Sequence, residues 1–127
     1  MSSQTSEYVL WWKQALADLN AADMNLKHGI FYIASFLSQQ AAEKALKAFY
    51  IKKFKKLTKI HDLHLLSLDL KLPQTLLAYC NELNAIYIET RYPDASGGIP
   101  AEEFTQQDAE RDLKIAKEVI EWIKQQL

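Results

Sequence analysis

Apolar residues recur along nearly the whole chain at steps of three and four, the spacing of one helix face, and nowhere keep the alternating period of a strand. The longest such run, Ile30 to Phe54 (IFYIASFLSQQAAEKALKAFYIKKF), holds no Gly or Pro and is long enough for roughly six or seven turns. It places Ala34, Leu37, Ala41, Ala45 and Ala48 at helical spacing, a seam of small residues. Its first third, FYIASFL, is apolar on almost every side, so it must be covered by more than one neighbour. The pattern predicts a central helix that packs within its own subunit and against a second one.

Before it, Tyr8, Trp12, Ala15, Leu16, Leu19, Ala22, Asp23 and Leu26 form another stripe, broken at Gly29 where a helix end favours a residue that tolerates positive φ. So short a connection forces the two helices to lie antiparallel. After the central helix comes a basic connector, KKFKKLTK, and a short helical stretch, IHDLHLLSLDL. Pro73 suits the first turn of the next helix, on which Leu76, Cys80, Leu83 and Tyr87 share a face as far as about Glu89. Arg91 to Phe104 holds two of the three prolines and two of the three glycines and reads as the main irregular loop. Thr105, with Asp108 three residues on, starts the final helix, whose seam is Ala109, Leu113, Ala116, Ile120, Ile123 and Leu127. The expected architecture is an all-α, four-helix up-and-down bundle with a short additional helix between the second and third long helices. It forms a single domain over residues 1–127, with 1–6 frayed.

Composition agrees with one domain: 127 residues, about half apolar, can bury a core without staples. The lone cysteine, Cys80, has no partner within the chain and reads as a buried, inert thiol, which favours an intracellular setting. No leader and no membrane-length apolar run is visible, so a cytoplasmic location is expected. The net charge of -1 hides a segregation. Residues 44–59 carry seven basic residues and no acid, whereas 82–112 carry eight acids against Arg91 and Arg111.

Few residues are equipped for chemistry. His61 and His64 flank Asp62 at a helical spacing, but two histidines make half a zinc site and no metal is expected. A helix-start or hydrogen-bonding role suits His61 and Asp62 better, and His28 suits a helix C-terminus. Arg91 stands where a helix gives way to a Pro-containing loop. Its guanidinium either pairs with Asp94 or another acid to fix that loop, or faces a cleft and takes a phosphate. Tyr92 beside it either stacks on a base or packs the loop down.

The strings SQQAAEKALKAFY on the central helix, HDL at His61–Leu63, TRYPDASGG from Thr90 to Gly98 and TQQDAERDLKIAKEVIEWI at the end, in this order, resemble the HEPN family, the nucleotide-binding domain of prokaryotes and higher eukaryotes. The resemblance runs from about Trp11 to Ile123. It implies a helical bundle, a homodimer, and the role of substrate-binding subunit to a minimal nucleotidyltransferase, the two forming a toxin–antitoxin pair. Catalytic members resemble one another in a different respect, a metal-independent endoribonuclease motif of the form Arg-x4-6-His. This chain lacks it, since no histidine follows His64. RNA cleavage by 2′-hydroxyl attack needs a group that exchanges a proton near neutral pH, and only His61, if brought beside Arg91, can supply one.

The expected function is therefore binding of a nucleotide or a partner, with catalysis in the partner nucleotidyltransferase and no cofactor beyond the nucleotide as ligand. Arg91 is assigned to phosphate, Tyr92 and Asp94 to loop support or base contact, and His61 with Asp62 to the facing polar pair. A ribonuclease using His61 and Arg91, and a purely structural dimerisation module, stay open as alternatives. The basic patch Lys52, Lys53, Lys55, Lys56 and Lys59 neutralises RNA phosphates or solvates a helix end, and the acidic region Glu102, Glu103, Asp108, Glu110 and Asp112 offers a third option, charge-complementary docking to the nucleotidyltransferase or to a second copy. Partner docking ranks ahead of RNA.

Overall fold

The computed structural model describes residues 3–93 and 98–127, with side chains from residue 7 onward. Seven helices follow one another among the described residues: α1 Ser3–Lys27, α2 Phe31–Phe54, α3 Leu63–Asp69, α4 Gln74–Asn84, α5 Ile86–Glu89, α6 Pro100–Glu103 and α7 Gln106–Gln126. The described residues include no strand, as the periodicity predicts. None of the helices is long and apolar enough to cross a membrane.

α2 is the axis of the bundle. α1 packs along most of its length, α7 lies against it on another side, and α3, α5 and α6 also touch it. The alanine seam explains how so many elements approach one helix: Ala34, Ala41, Ala45 and Ala48 are fully buried, and short side chains let neighbouring backbones come close. Larger groups fill the space between helices, chiefly Leu46 and Ile51 of α2, Leu63 and Leu66 of α3, Leu83 of α4, and Ile115, Val119 and Ile123 of α7.

The helix ends are set by local chemistry. α1 stops at a Schellman turn: Gly29 takes φ +77°, its N–H donates to Leu26 O, and Ile30 N–H donates to Asn25 O. α3 starts at Asp62, whose carboxylate accepts from Leu65 N–H at 3.0 Å. α7 starts with a reciprocal capping box, in which Thr105 Oγ1 accepts from Asp108 N–H at 3.1 Å and Asp108 accepts from Thr105 N–H at 2.9 Å. Thr105→Ala should lower stability by about 1 kcal/mol, read as a shift in the urea midpoint, with Thr105→Ser close to wild type. An unchanged midpoint in the alanine variant would show that the box is idle.

Three sequence expectations need correction. The third long helix does not run unbroken to Glu89; α4 ends at Asn84 and α5 begins after Ala85. No Gly or Pro announces the break. At that point Asn84 Oδ1 accepts from Leu63 N–H at 3.0 Å, which ties the end of α4 to the start of α3. In consequence Tyr87, expected on the buried face with Leu76, Cys80 and Leu83, is exposed at the surface. Within the expected irregular loop, Pro100–Glu103 forms a helical turn with Pro100 in its first position. Cys80 is buried as expected, and burial pushes its thiol up to about 12, with a hydrogen bond from Ser67 opposing.

Candidate functional site

Two helix faces meet across a cleft of about 470 Å³. One face, from α2, offers Phe36, Gln39, Gln40 and Glu43; the other, from the end of α4 through α5 into the turn after it, offers Asn84, Tyr87, Ile88 and Arg91. The α2 set follows the three- and four-residue steps of a single helix face, and the second set keeps those steps across the break at Ala85. His61 and Asp62, just before α3, close one end.

Arg91 lies over the Tyr87 ring, 4.7 Å from its centroid, and its Nη1 donates to the Tyr87 hydroxyl. The Tyr92 ring is farther, at 5.8 Å, and Tyr92 does not line the cleft. Among the described residues Arg91 has no ion-pair partner. Asp94, the other partner expected for it, lies outside the described residues. The fork is thus held by an aromatic platform and turned to the cleft.

His61 is the second polar group. Its Nδ1 lies 2.9 Å from Lys47 Nζ and 3.0 Å from Glu43 Oε2, and those two form a buried ion pair at 3.1 Å. Asp62 spends its carboxylate on the α3 cap; the backbone hydrogen bond from Leu65, aided by Asn84, holds it below the usual carboxylate range. His61 and Arg91, assigned separately from the sequence, line one cleft, whereas His64 does not line it, and its buried Nδ1 has no hydrogen-bond partner among the described residues. No group of three His, Cys, Asp or Glu among the described residues could hold a metal. His28 bonds Met24 O through Nδ1 at 2.9 Å, the helix-end role expected of it.

The lysine patch is a separate surface. Lys52 sits 4.8 Å from the Tyr8 ring centroid and Lys53 sits 5.4 Å from that of Phe54. Lys55 turns out of α2 at φ 59°, and Lys56 and Lys59 are exposed. Lys52 is nine residues beyond Glu43, roughly 14 Å along α2, and none of these five lysines lines the cleft. On the acidic side, Arg111 forms a two-pronged pair with Glu82 at 2.8 and 2.9 Å. Asp112 is not on that surface: it is buried, and loss of solvent pushes its carboxyl up to about 6, aided by Glu82, Asp108 and Glu89 and opposed by nearby Ser35. Among the described residues neither Asp112 Oδ2 nor Ser35 Oγ finds a hydrogen-bond partner.

Sequence reasoning missed Tyr87, the three carboxamides Gln39, Gln40 and Asn84, and the buried pair Glu43–Lys47. A charge pair four residues apart within an otherwise small and apolar helix was the one visible signal, and it reads equally as a solvated face.

The family model described as HEPN domain matches residues 8–126. Among solved structures, TT1696 from Thermus thermophilus is similar at a TM-score of 0.88 and 31% identity, over 94% of this chain and 98% of that one. ST0689, an archaeal HEPN homologue, is similar at 0.81 and 32%, over 94% and 96%. An HEPN domain protein (tm0613) from Thermotoga maritima is similar at 0.72 and 27%, over 91% and 94%. No curated protein matches the chain.

Proposed function

The chain belongs to the HEPN domain family, and from that premise we propose that it is a nucleotide-binding or substrate-binding subunit acting with a minimal nucleotidyltransferase, one half of a toxin–antitoxin pair, with the Arg91 cleft as its nucleotide site. The observation that carries this is the meeting of Arg91 and His61 across one cleft. A planar guanidinium without an ion-pair partner among the described residues suits a phosphate. Phe36 and Tyr87 offer aromatic surface for a base, and Gln39, Gln40 and Asn84 offer donors and acceptors for its edge. The volume falls in the range of small-molecule sites. A nucleoside triphosphate at millimolar concentration should raise the melting temperature of the protein; the absence of any shift removes this reading.

The same reading makes the chain a homodimer that docks its nucleotidyltransferase partner through charge, using the lysine connector and the exposed Glu102, Glu103 and Glu110. Co-expression with a nucleotidyltransferase encoded beside it should give one complex on size exclusion, weakened by salt. Separate elution at low salt would count against the partnership while leaving nucleotide binding untouched.

Metal-independent RNA cleavage is a second reading, favoured by the same proximity of His61 to Arg91. It requires cutting of single-stranded RNA in EDTA and loss of cutting in His61→Ala. Intact RNA after long incubation removes it.

A further inference from the structure

One nitrogen of His61 has two charged neighbours of opposite hydrogen-bonding character. Lys47 Nζ can only donate and Glu43 Oε2, when ionised, can only accept, yet both lie within 3.0 Å of Nδ1. The lysine and glutamate side chains are 3% and 10% exposed, while that of His61 is 76% exposed. Lys47 also faces the Trp11 ring at 5.3 Å. Burying such a pair is costly, and an apolar pair of similar volume would stabilise the fold at least as well. Its place behind a cleft histidine points to a task other than stability.

Nδ1 cannot serve both neighbours at once. A neutral ring has two choices: Nδ1 accepts from Lys47 with the ring hydrogen on Nε2, or Nδ1–H donates to Glu43 with the lone pair on Nε2. With a protonated ring Nδ1–H donates to Glu43, and Nε2 keeps its hydrogen. With Lys47 as the neutral ring's partner, the edge opposite Nδ1 presents Nε2–H in both states, and His61 lines the cleft. The other charged groups around the ring do not change this: Asp62 is engaged in its cap, His64 lies outside the cleft, and Arg91 stands across it.

We propose that Glu43 and Lys47 are positioning residues that keep His61 Nε2–H aimed into the Arg91 cleft in both protonation states, so that His61 donates a hydrogen bond to a bound phosphate and takes no proton from a ligand hydroxyl. The phosphate rests on the nucleotide-binding reading above; the tautomer does not. A ring that always carries hydrogen on Nε2 has no lone pair to accept the proton of a ribose 2′-hydroxyl. The cleft therefore binds a phosphate ester without the base that would cut it.

Long-range 15N–1H spectra of the His61 ring, without ligand, test the positioning. Wild-type protein with a neutral ring should show hydrogen on Nε2 and none on Nδ1. Lys47→Met keeps length and apolar contact with Trp11 but donates nothing, leaving Glu43 as the only partner. It should move the neutral ring to the Nδ1–H tautomer and weaken binding of adenosine monophosphate about tenfold, the scale of one lost charge-assisted hydrogen bond. If Lys47→Met does not fold, Lys47→Gln provides a second, hydrogen-bonding variant, and Glu43→Gln should retain Nε2–H because its amide can donate to Nδ1. The same tautomer in wild type and Lys47→Met overturns the proposal, as does a wild-type ring that is Nδ1–H. A ring that behaves as expected but does not respond to adenosine monophosphate overturns the nucleotide reading instead.

Discussion

Arg91→Ala is expected to leave the protein folded and to abolish the rise in melting temperature that a nucleoside triphosphate gives the wild-type chain. The side chain is exposed, and its described contacts are with the Tyr87 and Tyr92 rings and the Tyr87 hydroxyl. An exposed cation–π contact contributes on the order of 0.5–1 kcal/mol, so the unliganded variant should melt within a few degrees of wild type. Ligand at a hundredfold excess over its Kd stabilises by about 2.7 kcal/mol, which for a domain of this size is roughly 10 °C. That increment depends on Arg91, because among the described residues no other Lys or Arg lines the cleft, and Lys47 behind it is already paired with Glu43. Arg91→Lys should recover little of it, since an ammonium cannot copy the planar two-pronged grip. An undiminished shift in Arg91→Ala would place the ligand elsewhere on the molecule.

The convergence behind that expectation was only half legible in the sequence. Helical period, the Gly29 stop and the Thr105 cap are local matters, and each emerges as read because the responsible residues act within a few positions of themselves. The break at Ala85 carries no such mark. It accompanies a tertiary contact, Asn84 with the start of α3, and it turns Tyr87 from a core position into the platform for Arg91. His61 and Arg91 could be singled out by residue type, but only the packing of α3 and α5 against α2 puts them on one cleft. Glu43 and Lys47 were hidden by resemblance to an ordinary surface pair; their burial, not their spacing, gives them meaning. Asp112 was misread for the opposite reason. Its segment is rich in exposed acids, yet it stands beside Leu113 on the face of α7 that turns inward.

That misplaced acid leads to the second large effect. Asp112→Asn is expected to stabilise the protein above neutral pH and to change little in acid. Burial lifts the carboxyl from near 3.8 to about 6 in the folded chain, so the native state holds a proton that the unfolded state has already released between those values. An acid whose folded value is raised makes stability fall as pH climbs through that window; above it both states are ionised and the loss is complete. At 1.36 kcal/mol per unit, the ionised carboxylate costs the wild-type fold on the order of 2–3 kcal/mol at pH 7, with Glu82, Asp108 and Glu89 adding repulsion that Ser35 only partly offsets. Asparagine has the same shape, keeps a polar group for Ser35 and carries no charge. The gain in melting temperature should therefore be near zero at about pH 4, grow through about pH 5–6 and level off beyond pH 7. Thermal unfolding of both proteins across that range decides the matter. A difference that stays constant with pH, or an asparagine variant that is less stable at pH 8, would show that Asp112 is held as a charged partner and not as a strained, buried acid.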